Sequence, residues 1–343
     1  MKRIIAMLLA LIMVMSMAAC GAQTTESTEQ TEAATQATEA ATQAPEATEA
    51  ATEAATEDSA YPMVFDNYGR EVVIEKRPEI VITSGPNCTE LFVALGLGDL
   101  VVGKSYNDHA RAPLPEFQEG YEAIPELTFS APTFEAIVPT GADFIYGIDW
   151  TFGGDMTFEA LAEYGITCYE NNSAGGLDGL FQEIRDIGKI FGVEDRAEAF
   201  IADQEARIAA CVKAVEGQEG KRVFFFDSDN GESVMCAGSG NIVTDLIGMV
   251  GCVNVVEADS AYTRVSYEEV LNANPDYMVF LDYDTPTAAE KMAAAKADPI
   301  LSKLDCVKEE RFIVVSLEGT FNGPRMAHTM ETLMHGMYPE CFE

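Results

Sequence analysis

Residues 180–215 read LFQEIRDIGKIFGVEDRAEAFIADQEARIAACVKAV, a proline-free stretch in which Ile187, Ile190, Phe191, Phe200, Ile201, Ile208 and Val212 recur at largely helical spacing. Gly188 and the run Gly192-Val193-Glu194-Asp195 interrupt it, so the pattern predicts a short helix followed by a long one beginning near Asp195. A connecting segment over 181–219 is long enough to join two halves of a chain, and the flanking sequence divides in that way.

On both sides, short apolar runs alternate with helical segments. Ile80-Val81-Ile82-Thr83, Val101-Val102-Gly103 and Phe144-Ile145-Tyr146 precede the connector; Val223 to Phe226, Tyr277 to Leu281 and Phe312 to Val315 follow it. Strands apolar on both faces suit parallel sheets sandwiched between helices. The expected fold is therefore α/β, with mainly parallel sheets in two lobes, 61–180 and 220–343, joined by a single long helix. A ligand cleft belongs between such lobes.

The N-terminus has a different character. Lys2 and Arg3 precede an apolar run from Ile4 to Met15, then small residues lead to Cys20, which is the pattern of a secretion signal over 1–19. The run is shorter than the about 20 residues that span a bilayer. Met17-Ala18-Ala19-Cys20-Gly21 resembles a lipobox, which implies a diacylated Cys20 holding the protein at the outer face of the cell membrane. Residues 20–60 are built almost wholly from Thr, Glu, Ala, Gln and Ser, cannot bury a core, and are expected to form a charged tether.

The whole chain carries 57 acidic against 21 basic residues, a formal net charge of −36. Nucleic acid is excluded as a partner, because no basic excess exists to displace phosphate counterions. Seven cysteines follow Cys20, so at least one is unpaired within the chain, and no C-x-x-C spacing supports a zinc ribbon or a thioredoxin-type motif. Buried free thiols are expected.

The run Thr89-Glu90-Leu91-Phe92-Val93-Ala94-Leu95-Gly96-Leu97-Gly98-Asp99-Leu100-Val101-Val102-Gly103 carries a resemblance, supported by Phe65 to Val72, Arg77 to Val81, Phe134 to Val138, Leu161 to Ile166, Val265 to Leu271 and Asn274 to Phe280. Together these segments resemble the binding proteins of siderophore, haem and cobalamin ABC importers over nearly all of residues 63–343. The resemblance implies capture of an iron-siderophore or a similar chelate, with a membrane permease and its ATPase as partners. Where many members have Pro-Asp before the first-lobe strand, this chain has Gly141-Ala142-Asp143.

Open α/β sheets place ligands at loops on the carboxyl ends of their strands. Tyr106 lies in Lys104 to His109, a loop similar to one that offers an aromatic ring in the family, and Phe129 stands where cobalamin-binding members carry tryptophan. Trp150, the sole tryptophan, follows Phe144 to Asp149 and falls in the next loop. Tyr262 and Arg264 precede the Ser266 helix start, in a loop where related proteins reach the ligand. Arg325 follows Gly319 to Pro324, and both arginines have the fork geometry to clamp an anion. The resemblance further implies that Glu135 and Asp245 present one carboxylate per lobe to the permease.

Other classes are weaker. A metal-ion binding lipoprotein is the alternative, but only His109, His328 and His335 are available as imidazole ligands; a single histidine or Tyr106 can also serve as an axial ligand to haem. A tethered glycan-binding adhesin rests only on the Thr-rich stalk. No Gly-x-Ser-x-Gly, phosphate-binding loop with lysine or His-Glu-x-x-His points to an enzyme. No cofactor of the protein's own is expected, although the ligand itself can contain iron or cobalt.

Overall fold

The computed structural model describes residues 60–107, 112–172 and 175–342. The secretion signal, Cys20, the tether up to residue 59, and Asp108 and His109 lie outside the described residues. A hairpin comes first: β1 (Met63–Asn67) and β2 (Arg70–Ile74) pair antiparallel with Asn67 opposite Arg70. Tyr68 and Gly69 make its two-residue turn at φ 57° and 80°. Positive φ at both positions gives the turn whose twist matches that of the strands.

The chain then builds a five-stranded parallel sheet from β3 (Val81–Ser84), β4 (Val101–Ser105), β5 (Glu126–Thr128), β6 (Phe144–Ile148) and β7 (Thr167–Asn171), in the order β5-β4-β3-β6-β7. Between these strands run α1 (Pro86–Ala94), α2 (Gln118–Ala123), α3 (Phe134–Ile137) and α4 (Phe158–Glu163). Every residue of β3 and β6 is buried, as two covered faces require.

Two helices follow, α5 (Gly176–Phe191) and α6 (Glu194–Ala214). Gly188 does not interrupt α5; the helix ends at Gly192, left-handed at φ 64°. A side chain at Gly188 would place Cβ 2.7 Å from that of Ala197, so this glycine lets α5 and α6 pack closely. Helix α6 ties the two halves together. At its start Arg196 donates to the Leu95 and Gly96 carbonyls of the first lobe, and further along Gln204 and Arg207 bond Ala327 and Glu331 of the second.

The second lobe comprises β8 (Arg222–Asp229), β9 (Ser233–Ala237), α7 (Ile242–Gly248), β10 (Val253–Asn254), β11 (Tyr262–Ser266), α8 (Tyr267–Ala273), β12 (Tyr277–Asp282), α9 (Ala288–Ala297), α10 (Asp305–Lys308), β13 (Phe312–Ser316) and α11 (Met326–Met337). Its strand order is β11-β9-β8-β12-β13, with β10 beside β8. Here the sheet is mixed: β10, β8, β12 and β13 run parallel, whereas β9 and β11 run antiparallel to their neighbours. Residues 230–232 explain the reversal, since Asn230 Oδ1 accepts from the Glu232 and Ser233 amides and Gly231 takes φ 83°. So short a link makes a hairpin and not a crossover. The seven cysteines after Cys20 are all free, six of them buried.

A buried hub fastens the hairpin to the first lobe. Glu183 of α5 is 3% exposed and accepts hydrogen bonds from Tyr68, from Tyr146 at 2.9 Å and from Asn171 at 2.8 Å. Burial pushes its carboxyl up to about 7, against the opposing pull of these donors. The folded state therefore keeps a proton that the unfolded chain releases. This contribution is fully present below about pH 4.5 and is lost as pH rises to about 7, a span worth about 3 kcal/mol. Urea unfolding between pH 5 and 7.5 should show wild-type stability falling with pH relative to Glu183→Gln, and parallel pH profiles would remove the assignment.

Candidate functional site

At the carboxyl end of β6 the chain turns through Asp149-Trp150-Thr151. Asp149 Oδ1 accepts the Trp150 amide at 2.9 Å, and the Thr151 hydroxyl donates to Ser84 at 2.8 Å, which pins the turn to β3. The indole of Trp150, 43% exposed, reaches across to the second lobe. Its ring centroid lies 6.2 Å from Tyr262 and 6.0 Å from Phe321, and Tyr262 and Phe321 are themselves 6.5 Å apart. These separations are those of favourable tilted and edge-to-face pairs. Tyr262 is held from behind: its hydroxyl is 2.6 Å from that of Thr320, which itself donates to the Leu317 carbonyl, so Tyr262 is the donor.

Trp150 and Tyr262 line two spaces between the lobes. One, of about 10 Å³, adds Ile148, Asp149, Asn171, Phe321 and Asn322; the other, of about 130 Å³, adds Asp227, Met235, Tyr283 and Leu317. The second lobe thus presents the carboxyl end of β8, one face of β9 and the residue after β12 to this cleft. Burial, then the Asp227 carboxylate, raises the Tyr262 phenol above its ordinary value, with Asp149 adding to the effect. Both carboxylates therefore act on one ring of the cleft.

Of the expected ligand residues, Trp150 and Tyr262 meet here and the others do not line these two spaces. Tyr106 follows β4 at φ 64°, partly buried, with its amide donating to the Ser130 carbonyl at 3.1 Å. Phe129 is 54% exposed and accepts from the Asn107 amide at 2.7 Å. Arg264 is exposed on β11 and borders a separate depression of about 320 Å³ with Val256, Glu257, Val265, Glu269 and Val270.

Arg325 is buried, and its fork is occupied by the protein itself. Nε and Nη2 donate to the two Glu90 oxygens at 2.7 and 2.6 Å, Nη2 to the Ala112 carbonyl at 2.7 Å and Nη1 to the Ser316 hydroxyl at 3.0 Å. Its place is a bond between lobes, from the head of α11 to α1. The same loop is stitched further by Asn87 to the Asn322 carbonyl and by Asn322 to the Asn172 carbonyl, each 2.7 Å.

Asp227, Met235, Tyr283 and Phe321 also line these spaces, although the sequence does not single them out as site residues. Tyr283 follows β12 immediately and Phe321 sits two residues after Gly319, so strand-end position alone was the signal for both. Glu135 is exposed in the first turn of α3, after the Thr133 cap. Asp245 is turned toward the start of α5: it accepts the Leu177 amide, and its oxygen lies 2.6 Å from where a Gly176 Cβ would be. Burial, with help from Asp178, raises its carboxyl above the usual range.

Residues 80–316 match the family model described as periplasmic binding protein. The chain belongs to the periplasmic binding proteins. Among relatives, the ABC transporter substrate-binding lipoprotein YvrC of Bacillus subtilis is 24% identical over 82% of this chain and 88% of its own length. A cobalamin-binding protein of Halobacterium salinarum is 25% identical over 61% of this chain and 55% of its own length. The crystal structure of a periplasmic binding protein from Veillonella parvula superposes with a TM-score of 0.73 at 24% identity, covering 81% of this chain and 97% of that one. The Veillonella parvula structure shares the fold seen here.

The geometry of Arg325 changes what its removal does. Replacing it by Ala leaves Glu90, which is 0% exposed, without its countercharge, so stability should fall by about 3–5 kcal/mol. Urea unfolding of Arg325→Ala measures this, and a loss under about 1 kcal/mol would show the pair to be dispensable.

Proposed function

We propose that this periplasmic binding protein captures a large chelate or cofactor, an iron-siderophore, haem or cobalamin, in the cleft of Trp150, Tyr262 and Phe321, and delivers it to the permease and ATPase of an ABC importer. The observation that carries the reading is the aromatic cluster contributed by both lobes. Flat apolar rings with polar edges suit a large planar or chelated ligand. The names of the Bacillus subtilis and Halobacterium salinarum relatives point the same way. Lipidation of Cys20 and the acidic tether fit a receptor held at the extracytoplasmic face of the membrane, and mass spectrometry of the membrane-extracted protein tests that anchor.

Trp150 is the only tryptophan and lies in the cleft, so ligand binding reads out directly. Titration with cobalamins, haem and ferric chelates should change its emission saturably, and Tyr262→Ala should weaken the responding ligand about tenfold or more, the range of a lost buried aromatic contact. A panel without any saturable response counts against chelate capture.

Docking is a separate step of the same reading, through Glu135 on the first lobe and Asp245 on the second. Glu135 is the freer of the two, since Asp245 already accepts the Leu177 amide. Charge reversal by Glu135→Lys should abolish uptake in cells while the purified protein keeps its affinity, because rim charges steer association more than they hold ligand. Normal uptake by that variant removes Glu135 from the interface.

A further inference from the structure

The depression beside β11 is larger than either space between the lobes. It measures about 320 Å³, against about 10 and about 130 Å³, and so reaches the about 300 Å³ at which small-molecule sites begin. Its lining comes from residues 255–258 after β10, Thr263 to Val265 of β11, and Glu269, Val270 and Ala273 of α8, and it shares no residue with the two spaces beside Trp150. Val255, Ala258 and Val265 are half-buried and pack against the apolar cluster that holds Val256 and Val270. An apolar group seated here extends that cluster and leaves water.

The charged groups of the lining differ in how far they are committed. Arg264 is exposed and, among the described residues, is the one arginine with no hydrogen bond or ion pair. Each of the others donates to a carbonyl or a carboxylate. In a chain of 57 acidic and 21 basic residues, a cation left unpaired is the exception. Glu257 is exposed and also makes no hydrogen bond or ion pair among the described residues. Glu269 is engaged, since its carboxylate accepts the Ser266 amide at 2.6 Å and is held below its ordinary range by that bond. The depression thus offers one free guanidinium and one free carboxylate beside an apolar floor.

We propose that this depression is a second binding site, for a small zwitterion with an apolar side chain, of which an aromatic amino acid is the simplest case. Arg264 takes the carboxylate through the two nitrogens of its fork, Glu257 takes the ammonium, and the valine floor takes the side chain. A plain carboxylate has nothing to offer Glu257, and a plain amine has nothing to offer Arg264. Charge pairs this exposed contribute little each, so affinity is weak, in the millimolar range, and the mark of the site is its discrimination. The site stands apart from the Trp150–Tyr262 cleft and does not rest on the capture reading.

The test is amide NMR of the full chain titrated with L-phenylalanine, hydrocinnamate and phenethylamine, which share a phenyl ring and differ in charge. Phenylalanine should shift the amides of residues 255–258 and 263–265 saturably and bind about threefold or more tightly than either relative, the scale of one exposed charge pair. Arg264→Gln should erase its advantage over the amine, and Glu257→Gln its advantage over the acid. Both side chains are exposed, so neither change disturbs the core. A smaller advantage in the wild type, shifts confined to other parts of the chain, or an advantage that survives in its variant overturns the proposal.

Discussion

The arrangement of the two lobes depends on the buried bond between Glu90 and Arg325. Both side chains are withdrawn from water, at 0% and 5% exposure, and such a pair persists only when its remaining donors and acceptors are met. They are met here: Glu90 also accepts the Leu114 amide at 2.8 Å, and Arg325 also donates to Ala112 and Ser316. Glu318 adds a second buried carboxylate 3.9 Å from the guanidinium. Burial alone would lower the affinity of Arg325 for its proton, but Glu90 and then Glu318 outweigh it and raise that affinity. The pair links the 321–325 loop of the second lobe to α1 of the first, so it fixes position as well as adding stability.

Helix α6 fixes the same relation from the other side. Its buried Ala197, Ile201, Gln204, Ile208 and Cys211 lie on one stripe, and one apolar core runs from the first-lobe sheet through α5 and α6 to α11. The lobes are therefore bound at two places, by the helix at the back and by the Arg325 loop at the front. The two walls of the aromatic cleft are thereby fixed relative to each other.

The sequence makes the scaffold legible because the scaffold is made by period. Apolar runs such as Phe144 to Ile148 have one stable place, a strand covered on both faces, and the stripe of α6 has one facing partner. The second-lobe hairpins were less visible, since β11 carries Thr263 and Arg264 in place of a continuous apolar run and only Asn230-Gly231 marks the reversal of direction. In the candidate site, the sequence names Trp150 from its place after a strand and Tyr262 from the family resemblance, and the structure brings the two rings together. Arg325 was misjudged for a physical reason: a guanidinium has the same appeal to a ligand anion as to Glu90, and sequence spacing of 235 residues gives no sign that Glu90 is waiting. Asp227 escaped for the opposite reason, being one acid among many in a chain of net charge −36.

The double tether also limits how a ligand reaches the cleft. The two spaces, about 10 and 130 Å³, fall short of the about 300 Å³ at which small-molecule sites begin. Wide separation of the lobes would break the Glu90–Arg325 pair and the contacts of Asn87 and Asn322, all buried, so that route is costly. Moving Trp150 costs less. Its contacts to Tyr262 and Phe321 are worth about 0.5–1.5 kcal/mol each beyond area burial, and a ligand ring that takes its place restores them. Trp150 thus occupies part of the space between the lobes, and displacing its ring is the less costly way to enlarge that space.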